Sequence, residues 1–315
     1  MKTKSSVTAR LTTLLRQKLK VSGLSRLIVG VSGGADSVAL LALLRLSGAE
    51  VTAAHCNFHL RGEESLRDEA HVRSLCELLE VPLETVDFDV HGFIESNPGT
   101  SVEMACRSLR YEWFFNLLES SGADRIAIAH NADDNAETLF LNLLRGSGTK
   151  GLRGMVEDNG KVWRPVLSVH RHELEAFLKE NNISFITDSS NLISDYRRNF
   201  LRNEIFPLLR SRWEGFDKAM QSSLSFLRAE NEVVEQAIAD RLPSPGSPLE
   251  AEVVLDFAAP ELLVRRFIDP LSPFTTTASE VVGAMRAAKP DVKRWTLRKG
   301  FLELRNGKLF LKKDV

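Results

Sequence analysis

The residues Ser32-Gly33-Gly34-Ala35-Asp36-Ser37 stand between an apolar run, Leu27–Val31, and a helical run, Val38–Arg45. A strand that ends in a glycine turn and restarts as a helix leaves the first helical N–H groups without intrahelical partners. The positive end of the helix dipole sits behind them. Such a junction holds anions, phosphate above all. Gly33 and Gly34 remove the Cβ that would block a close approach or penalise a positive φ. Asp36 puts a carboxylate beside the expected phosphate, which makes chemical sense if a divalent metal joins the two. The loop is not a Walker A loop, because no Gly-Lys-Ser/Thr follows. The plainer alternative is a tight strand-to-helix turn capped by Ser32 or Asp36.

Three further clusters carry chemistry. His55-Cys56-Asn57-Phe58-His59-Leu60-Arg61-Gly62 follows an apolar run, so its polar side chains can meet a nucleotide or simply hydrogen-bond the loop. His55 and His59 are four apart, but a loop with no third ligand nearby argues against zinc. Arg107 and Arg110, three apart on a helix, share a face. Two forked guanidiniums suit phosphate, although ion pairs to Glu103 or Glu112 would also occupy them. His130-Asn131-Ala132-Asp133-Asp134-Asn135-Ala136-Glu137-Thr138 opens a helix. Acidic residues in a first turn serve as caps, which covers Asp133 or Asp134. It does not cover His130, both aspartates and Glu137 together. His130, Asp134 and Glu137, at intervals of four and three, can share a face that holds Mg²⁺, polarises a nucleophile or grips a ribose.

The elements that must position these clusters are readable from periodicity. Leu27–Val31, Val51–His55, Leu83–Phe88 and Arg125–Ala129 read as strands, alternating with helices over Ser37–Leu46, Glu63–Leu79, Ser101–Ser120 and Asn135–Arg145. The alternation predicts an α/β fold, a Rossmann-like parallel sheet with helices on both faces. Ligands of such sheets bind beyond the carboxyl ends of the strands, where Ser32–Asp36, His55–Arg61 and His130–Asp134 all fall. Val7, Leu11, Leu14, Leu15 and Leu19 keep a helical period and are expected to pack on the sheet. Gly146–Leu152 is too glycine-rich for a helix. Tyr196–Arg212 carries Arg197, Arg198, Arg202, Arg210 and Arg212 against Glu204. Phe216 to about Arg241 reads as a long amphipathic helix. Leu242–Pro248 breaks it. A smaller, mostly helical α+β region follows, ending in a hairpin about Asn306-Gly307 of the type I′ kind.

The 315-residue chain has a net charge of −1, 43% hydrophobic and 26% charged residues. These values fit a globular protein with a large core. They give no global attraction to nucleic acid, so any such contact must be local, as at Arg197–Arg212 or Arg286–Lys299. Cys56, Cys76 and Cys106 form no Cys-x-x-Cys pair, which leaves reduced thiols and a cytoplasmic location as the expectation. No apolar run reaches membrane-spanning length and no signal peptide is expected. The first twenty residues carry six basic and no acidic side chains; the helical period of Val7–Leu19 argues against a transit peptide, and the basic residues can touch RNA or, as is more frequent, form a solvated face.

The string Ser-Gly-Gly-Ala-Asp-Ser resembles the PP-loop of N-type ATP pyrophosphatases. With His55–Gly62, Arg107–Tyr111, His130–Thr138, Arg145–Leu152 and Thr187–Arg202 in this order, residues 24–212 resemble the tRNA(Ile)-lysidine synthases. The resemblance implies a PP-loop catalytic domain over residues 1–214 and a tRNA-contacting region over 215–315. It implies ATP and Mg²⁺, free L-lysine, and a tRNA(Ile) with a CAU anticodon; a homodimer stays open. Longer members carry a further domain. In the implied two-step reaction the wobble cytosine is adenylated at C2, and an amine of lysine then displaces AMP. Ser32, Gly33, Gly34, Ala35, Asp36, Ser37 and His55 would bind ATP, with Asp36 on the metal. Asp36, Arg110, His130, Asp134, Glu137 and Arg202 would be catalytic, and Lys150, Arg198 and Arg202 would meet RNA or the activated base. Other PP-loop adenylating enzymes compete. A tRNA thiolase would need cysteines that this sequence lacks, and amidotransferase-type synthetases lack the His130 and Arg198–Arg202 patterns. A nucleotide-binding regulator without chemistry is the non-enzyme alternative.

Overall fold

The computed structural model describes residues 6–186, 196–271, 277–287 and 292–313. The chain divides into two compact units, Met1–Leu227 and Arg228–Val315. In chain order the first unit contains α1 (Val7–Ser22), β1 (Arg26–Gly30), α2 (Ala35–Ser47), β2 (Glu50–Asn57), α3 (Glu63–Leu78), β3 (Leu83–Asp87), α4 (Val90–Ser96) and α5 (Val102–Ser121). There follow β4 (Arg125–Ala127), α6 (Ala132–Leu144), α7 (Thr149–Leu152), β5 (Val162–Trp163), α8 (Arg171–Glu180), α9 (Tyr196–Phe200), a π-helical turn over Leu201–Ile205 and α10 (Phe206–Arg212). The division falls within α11 (Phe216–Ala239).

The sheet of the first unit is wholly parallel, in the order β3-β2-β1-β4-β5. β1 is central, and the chain winds outward from it first through β2 and β3, then through β4 and β5. The crevice between β1 and β4 is therefore the topological switch point, where open α/β sheets take their ligands. Alternate residues of β1 face opposite layers, as strand geometry requires. Leu27, Val29 and Val31 join α2, α3 and α8 in one buried cluster, whereas Ile28 joins Phe114 of α5 and Ile126 in another. This is the predicted architecture, with helices on both faces. α2 is buried along Val38–Leu44 without interruption because α1 covers it: Leu11, Leu15 and Leu19 of α1 join the same core. The expected packing of α1 on the sheet is thus corrected, since it lies against α2 and α8, outside them.

Two loop readings are also corrected. Within Gly146–Leu152, the glycines confine themselves to the entry. Gly146 takes φ +74, Gly148 is the N-cap, and Thr149–Leu152 form the short helix α7. α2 starts two residues earlier than expected, and its N-cap is Gly34 with no side-chain cap bond, so neither Ser32 nor Asp36 caps it. Thr187–Asn191 lies outside the described residues.

The second unit pairs helices α12 (Ala251–Asp256), α13 (Pro260–Ile268) and α14 (Ala278–Arg286) with an antiparallel sheet. Its strands are β6 (Leu249–Glu250), β7 (Lys293–Leu297), β8 (Gly300–Arg305) and β9 (Lys308–Lys313), in the order β6-β9-β8-β7. Leu302, Leu304 and Leu309 bury one sheet face against Leu263, Val264, Val281 and Val282. Trp295 packs at the edge of this core. Arg305 pairs with Lys308 across Asn306 (φ +50) and Gly307 (φ +71), the two positive φ values that the predicted type I′ turn needs.

Candidate active site at the switch point

The Ser32–Ser37 loop is braced from inside. Ser37 Oγ donates to the Gly34 carbonyl (3.0 Å) and accepts from Ser32 N (3.1 Å), and it lies 3.1 Å from Ser32 Oγ. His55 is buried, with Nδ1 at 2.8 Å from the Val31 carbonyl. Burial lowers its pKa, so the ring is neutral and Nδ1–H is the donor. His55 therefore holds the strand end from which the loop departs. The first amides of α2 are left without a side-chain cap, the local condition for a helix start to receive an anion.

Gly33 sits at φ +93, and a Cβ there would stand 2.8 Å from Ile186 Cδ1. Ile186 N in turn donates to the Gly33 carbonyl (2.9 Å), so the neighbour is pinned. Gly34 has no such φ, and its Cβ would meet only Ser32 Oγ at 3.6 Å. Gly33→Ala is expected to cost about 1–3 kcal/mol of stability in urea denaturation, from strain and overpacking together. Gly34→Ala should leave stability nearly unchanged and weaken ATP binding, because the added methyl faces the open side of the loop.

α6 enters from the carboxyl end of β4. Asn131 is its N-cap: Asn131 Oδ1 accepts from Asp134 N (3.0 Å), and Asp134 Oδ2 accepts from Asn131 N (3.1 Å), a closed capping box. That leaves Asp134 Oδ1 and the next-turn Glu137 for other partners. Arg202 fills both. Its Nε and Nη2 lie 2.7 and 3.0 Å from the two Glu137 oxygens, and Nη2 is 3.1 Å from Asp134 Oδ1. Arg198 Nε is 3.3 Å from Glu137 Oε2. The π-helical turn over Leu201–Ile205 is the local departure that carries Arg202, and such turns recur at functional sites.

Arg171, the first residue of α8, ties this group to the loop. Its Nη2 stands 3.0 Å from Asp36 Oδ2 and 3.6 Å from Asp134 Oδ1, while its backbone N donates to Asp133 Oδ2 (2.9 Å). One chain of contacts thus runs Asp36–Arg171–Asp134–Arg202–Glu137. Burial raises the Asp36 pKa to about 6, against the pull of Arg171. Asp36 Oδ1 is buried with no hydrogen-bond partner. Asn131 Nδ2, whose amide also lowers the Asp36 pKa, is likewise without a partner of hydrogen-bonding geometry. Burial raises Glu137 as well, opposed by Arg202. Burial pushes Asp133 upward too, but hydrogen bonds from His170, Arg171 N and Arg210 outweigh it and hold that carboxyl below the usual range.

His130 precedes α6 instead of sharing its face. Its Nδ1 accepts from Arg164 Nε (3.1 Å). Burial drives its pKa to about 4 despite Asp134, so it is neutral at pH 7. Arg107 and Arg198 are among the cations acting on it. Arg110 is placed elsewhere: its guanidinium lies over Phe58 (5.3 Å), which stacks on Phe88 beyond β2 and β3. Arg107 lies over Tyr111 (4.8 Å), so this pair meets aromatic rings, not the expected glutamates. Lys150 is exposed on α7.

The cleft over Asp133, Glu137, Arg171, Arg202, Arg210 and Asp217 has a volume of about 310 Å³. Asp133, His170 and Asp217 each offer a ligand atom within 4.8 Å of the others. Arg210 already bridges the two carboxylates, at 2.5 Å from Asp133 and 2.8 Å from Asp217, so the charge a cation would supply is in place. Arg164 and Arg171 carry no motif in the sequence. Their one signal is position, at the two ends of the segment between β5 and α8, beside the switch point.

Residues 3–209 match a family model described as a PP-loop domain. A tRNA(Ile)-lysidine synthase of Porphyromonas gingivalis is 49% identical over 209 residues, covering 66% of this chain and 46% of that protein. One of Petrotoga mobilis is 32% identical over 247 residues, covering 77% of this chain and 79% of that protein. The chain spans about half the length of the Porphyromonas relative. A solved U34-tRNA thiolase from Methanococcus maripaludis superposes with a TM-score of 0.60 at 16% identity, over 70% of this chain and 80% of that one, which shows a shared fold. By motif, topology and these matches, the chain belongs to the PP-loop family and, within it, to the tRNA(Ile)-lysidine synthases.

Proposed function

We propose that this chain joins free L-lysine to C2 of the wobble cytidine of a tRNA(Ile) with a CAU anticodon, at the expense of ATP, leaving AMP and pyrophosphate. The observation that carries the reading is the contact chain from Asp36 to Glu137. It sets an anion-binding loop beside a cleft with carboxylates and guanidiniums interleaved, as a polyphosphate and a diamino acid together require. In the first step the cytosine O2 attacks the α-phosphorus and the bond to the β-phosphate oxygen breaks. The uncapped α2 amides would hold the departing pyrophosphate. In the second, an amine of lysine attacks C2 and the C2–O bond to AMP breaks. The amine must arrive neutral. Glu137, raised by burial, and Asp134 would orient it and take its proton.

The residues fit a divalent metal. Asp36 has one buried carboxylate oxygen without a hydrogen-bond partner. Asp36 would hold Mg²⁺, which when bound neutralises charge developing on pyrophosphate. His130 and Arg164 would line the nucleotide side. Arg110 would act from the Phe58 side, and Lys150, Arg198 and Arg202 would meet RNA phosphate or the activated base. Residues 1–227, the first compact unit, would form the catalytic domain and 228–315 a tRNA-contacting region. No described helix is long and apolar enough to cross a membrane. A tRNA substrate would place the protein in the cytoplasm.

The test is an incubation with ATP, Mg²⁺, labelled lysine and a tRNA(Ile) transcript bearing CAU, with elongator tRNA(Met) as control. Label in the first RNA alone is expected. No label in either, with sulfur or ammonia accepted instead, would move the protein to another PP-loop activity.

A further inference from the structure

We propose that the indole of Trp213 is a stacking platform for the RNA nucleobase next to the one being modified, held outside the catalytic cleft while its neighbour enters it. The inference rests on the tRNA substrate proposed above. Trp213 is the C-cap of α10, and its backbone is fixed on both sides. Its N–H donates to the Leu209 carbonyl (2.9 Å), and its carbonyl accepts from Phe216 N (3.2 Å). Gly215, third in that four-residue turn, takes φ +79, the value a turn of this kind requires at that position. The backbone is thus set while the side chain is 61% exposed. Tryptophan ordinarily buries most of its large surface, so a rigidly mounted, exposed indole calls for a partner.

The surroundings say which partner. Trp213 borders a pocket of about 420 Å³ with His170, Arg210, Phe216, Lys218 and Gln221. Arg210 and Asp217 line both this pocket and the catalytic cleft. A chain that delivers one group into the cleft therefore passes its next unit by Trp213. Lys218 supplies a cation for a phosphate, Arg210 being paired with Asp133 and Asp217. The pocket floor is fixed: Arg210 pairs with Asp217 (2.8 Å), and Gln221 Nε2 lies 3.0 Å from His170 Nε2. A single-stranded polyanion with flat bases matches an exposed aromatic ring set beside a lysine. A base leaving its stack to be modified also strips its neighbour of a stacking partner, and the indole takes that place.

The test uses the full chain and a CAU anticodon stem-loop RNA, with a second RNA carrying abasic nucleotides on both sides of the reacting cytidine. Trp213→Ala is expected to weaken binding of the intact stem-loop roughly 5- to 150-fold, the range for loss of one base–aromatic stack. Trp213→Phe should retain most of the affinity, and ATP affinity should not change in either. The abasic RNA should bind wild type more weakly than the intact RNA does, yet bind Trp213→Ala no more weakly. A purely structural role for Trp213 would not reproduce that second pattern. Unchanged binding by Trp213→Ala, or equal losses to the abasic RNA in both proteins, would overturn the proposal. If wild type binds the CAU stem-loop no better than an unrelated stem-loop of equal charge, the tRNA reading fails and this inference with it.

Discussion

Asp36→Asn is expected to slow pyrophosphate release from ATP roughly 10²- to 10³-fold while making the protein more stable in the absence of metal. Asp36 is a carboxylate kept at a cost. Burial raises its pKa from 3.8 to about 6, more than Arg171 can offset. The native state therefore binds a proton more tightly than the unfolded chain does. Stability attributable to Asp36 falls as pH rises from about 3.8 to about 6 and stays lowered above that. The interval corresponds to about 3 kcal/mol at neutral pH. Asn keeps the shape without the charge, so the metal-free variant should gain up to that amount and melt several degrees higher. Its rate should fall roughly 10²- to 10³-fold, the loss when metal-assisted charge neutralisation is removed. Calorimetry at pH 8 without Mg²⁺, beside a pyrophosphate-release assay with it, reads both. Full activity would refute the metal role. Loss of stability together with activity would show Asp36 to be a structural partner of Arg171.

Such opposed effects are expected where a site is held strained for function, and they bear on which parts of this protein its sequence discloses. The glycine turn, the strand and helix alternation and the Asn306-Gly307 hairpin are local: each is encoded within a few residues by periodicity or by a φ that few residues tolerate. The sheet order follows from them, because parallel strands joined by helices leave little freedom of connection. The interior of the site is not local. Arg171 meets Asp36 across 135 residues, Arg202 meets Glu137 across 65, and Arg164 meets His130 across 34. No spacing rule records such a pair. The acidic cluster after β4 was legible as chemistry because capping alone does not need two aspartates and a glutamate. Its capping residue, Asn131, was not, because any of four neighbours has the right side chain. Arg110 shares a helix face with Arg107, yet its guanidinium lies over Phe58, from a different part of the chain. Periodicity fixes which residues lie together, not what lies opposite them.

Arg202→Ala should be among the most damaging substitutions, and its damage should be reversible in one respect only. Glu137 is 0% exposed. Arg202 binds both its oxygens, at 2.7 and 3.0 Å, the two-pronged geometry that lysine cannot reproduce. Removing the guanidinium leaves a buried carboxylate facing Arg198 Nε at 3.3 Å. Breaking a buried pair from one side costs about 3–5 kcal/mol. The Glu137 pKa, already raised by burial against the pull of Arg202, must rise further in the variant. The deficit should therefore be smallest at acidic pH, where the carboxyl is protonated folded and unfolded alike. It should grow as pH rises above the ordinary glutamate range, since the native state then binds more protons than the unfolded one. Urea denaturation at pH 5 and pH 8 reads this directly. Adding Glu137→Gln to Arg202→Ala removes the unpaired charge, so the double variant should recover much of the lost stability. It should recover none of the activity, because the proposed lysine-orienting group is gone. Arg202→Lys should fall between wild type and Arg202→Ala in stability. A double variant no more stable than the single one would mean that Glu137 and Arg202 are not energetically coupled. The contact chain from Asp36 would then end at Arg202, which meets Asp134 at 3.1 Å, and Glu137 would stand outside it.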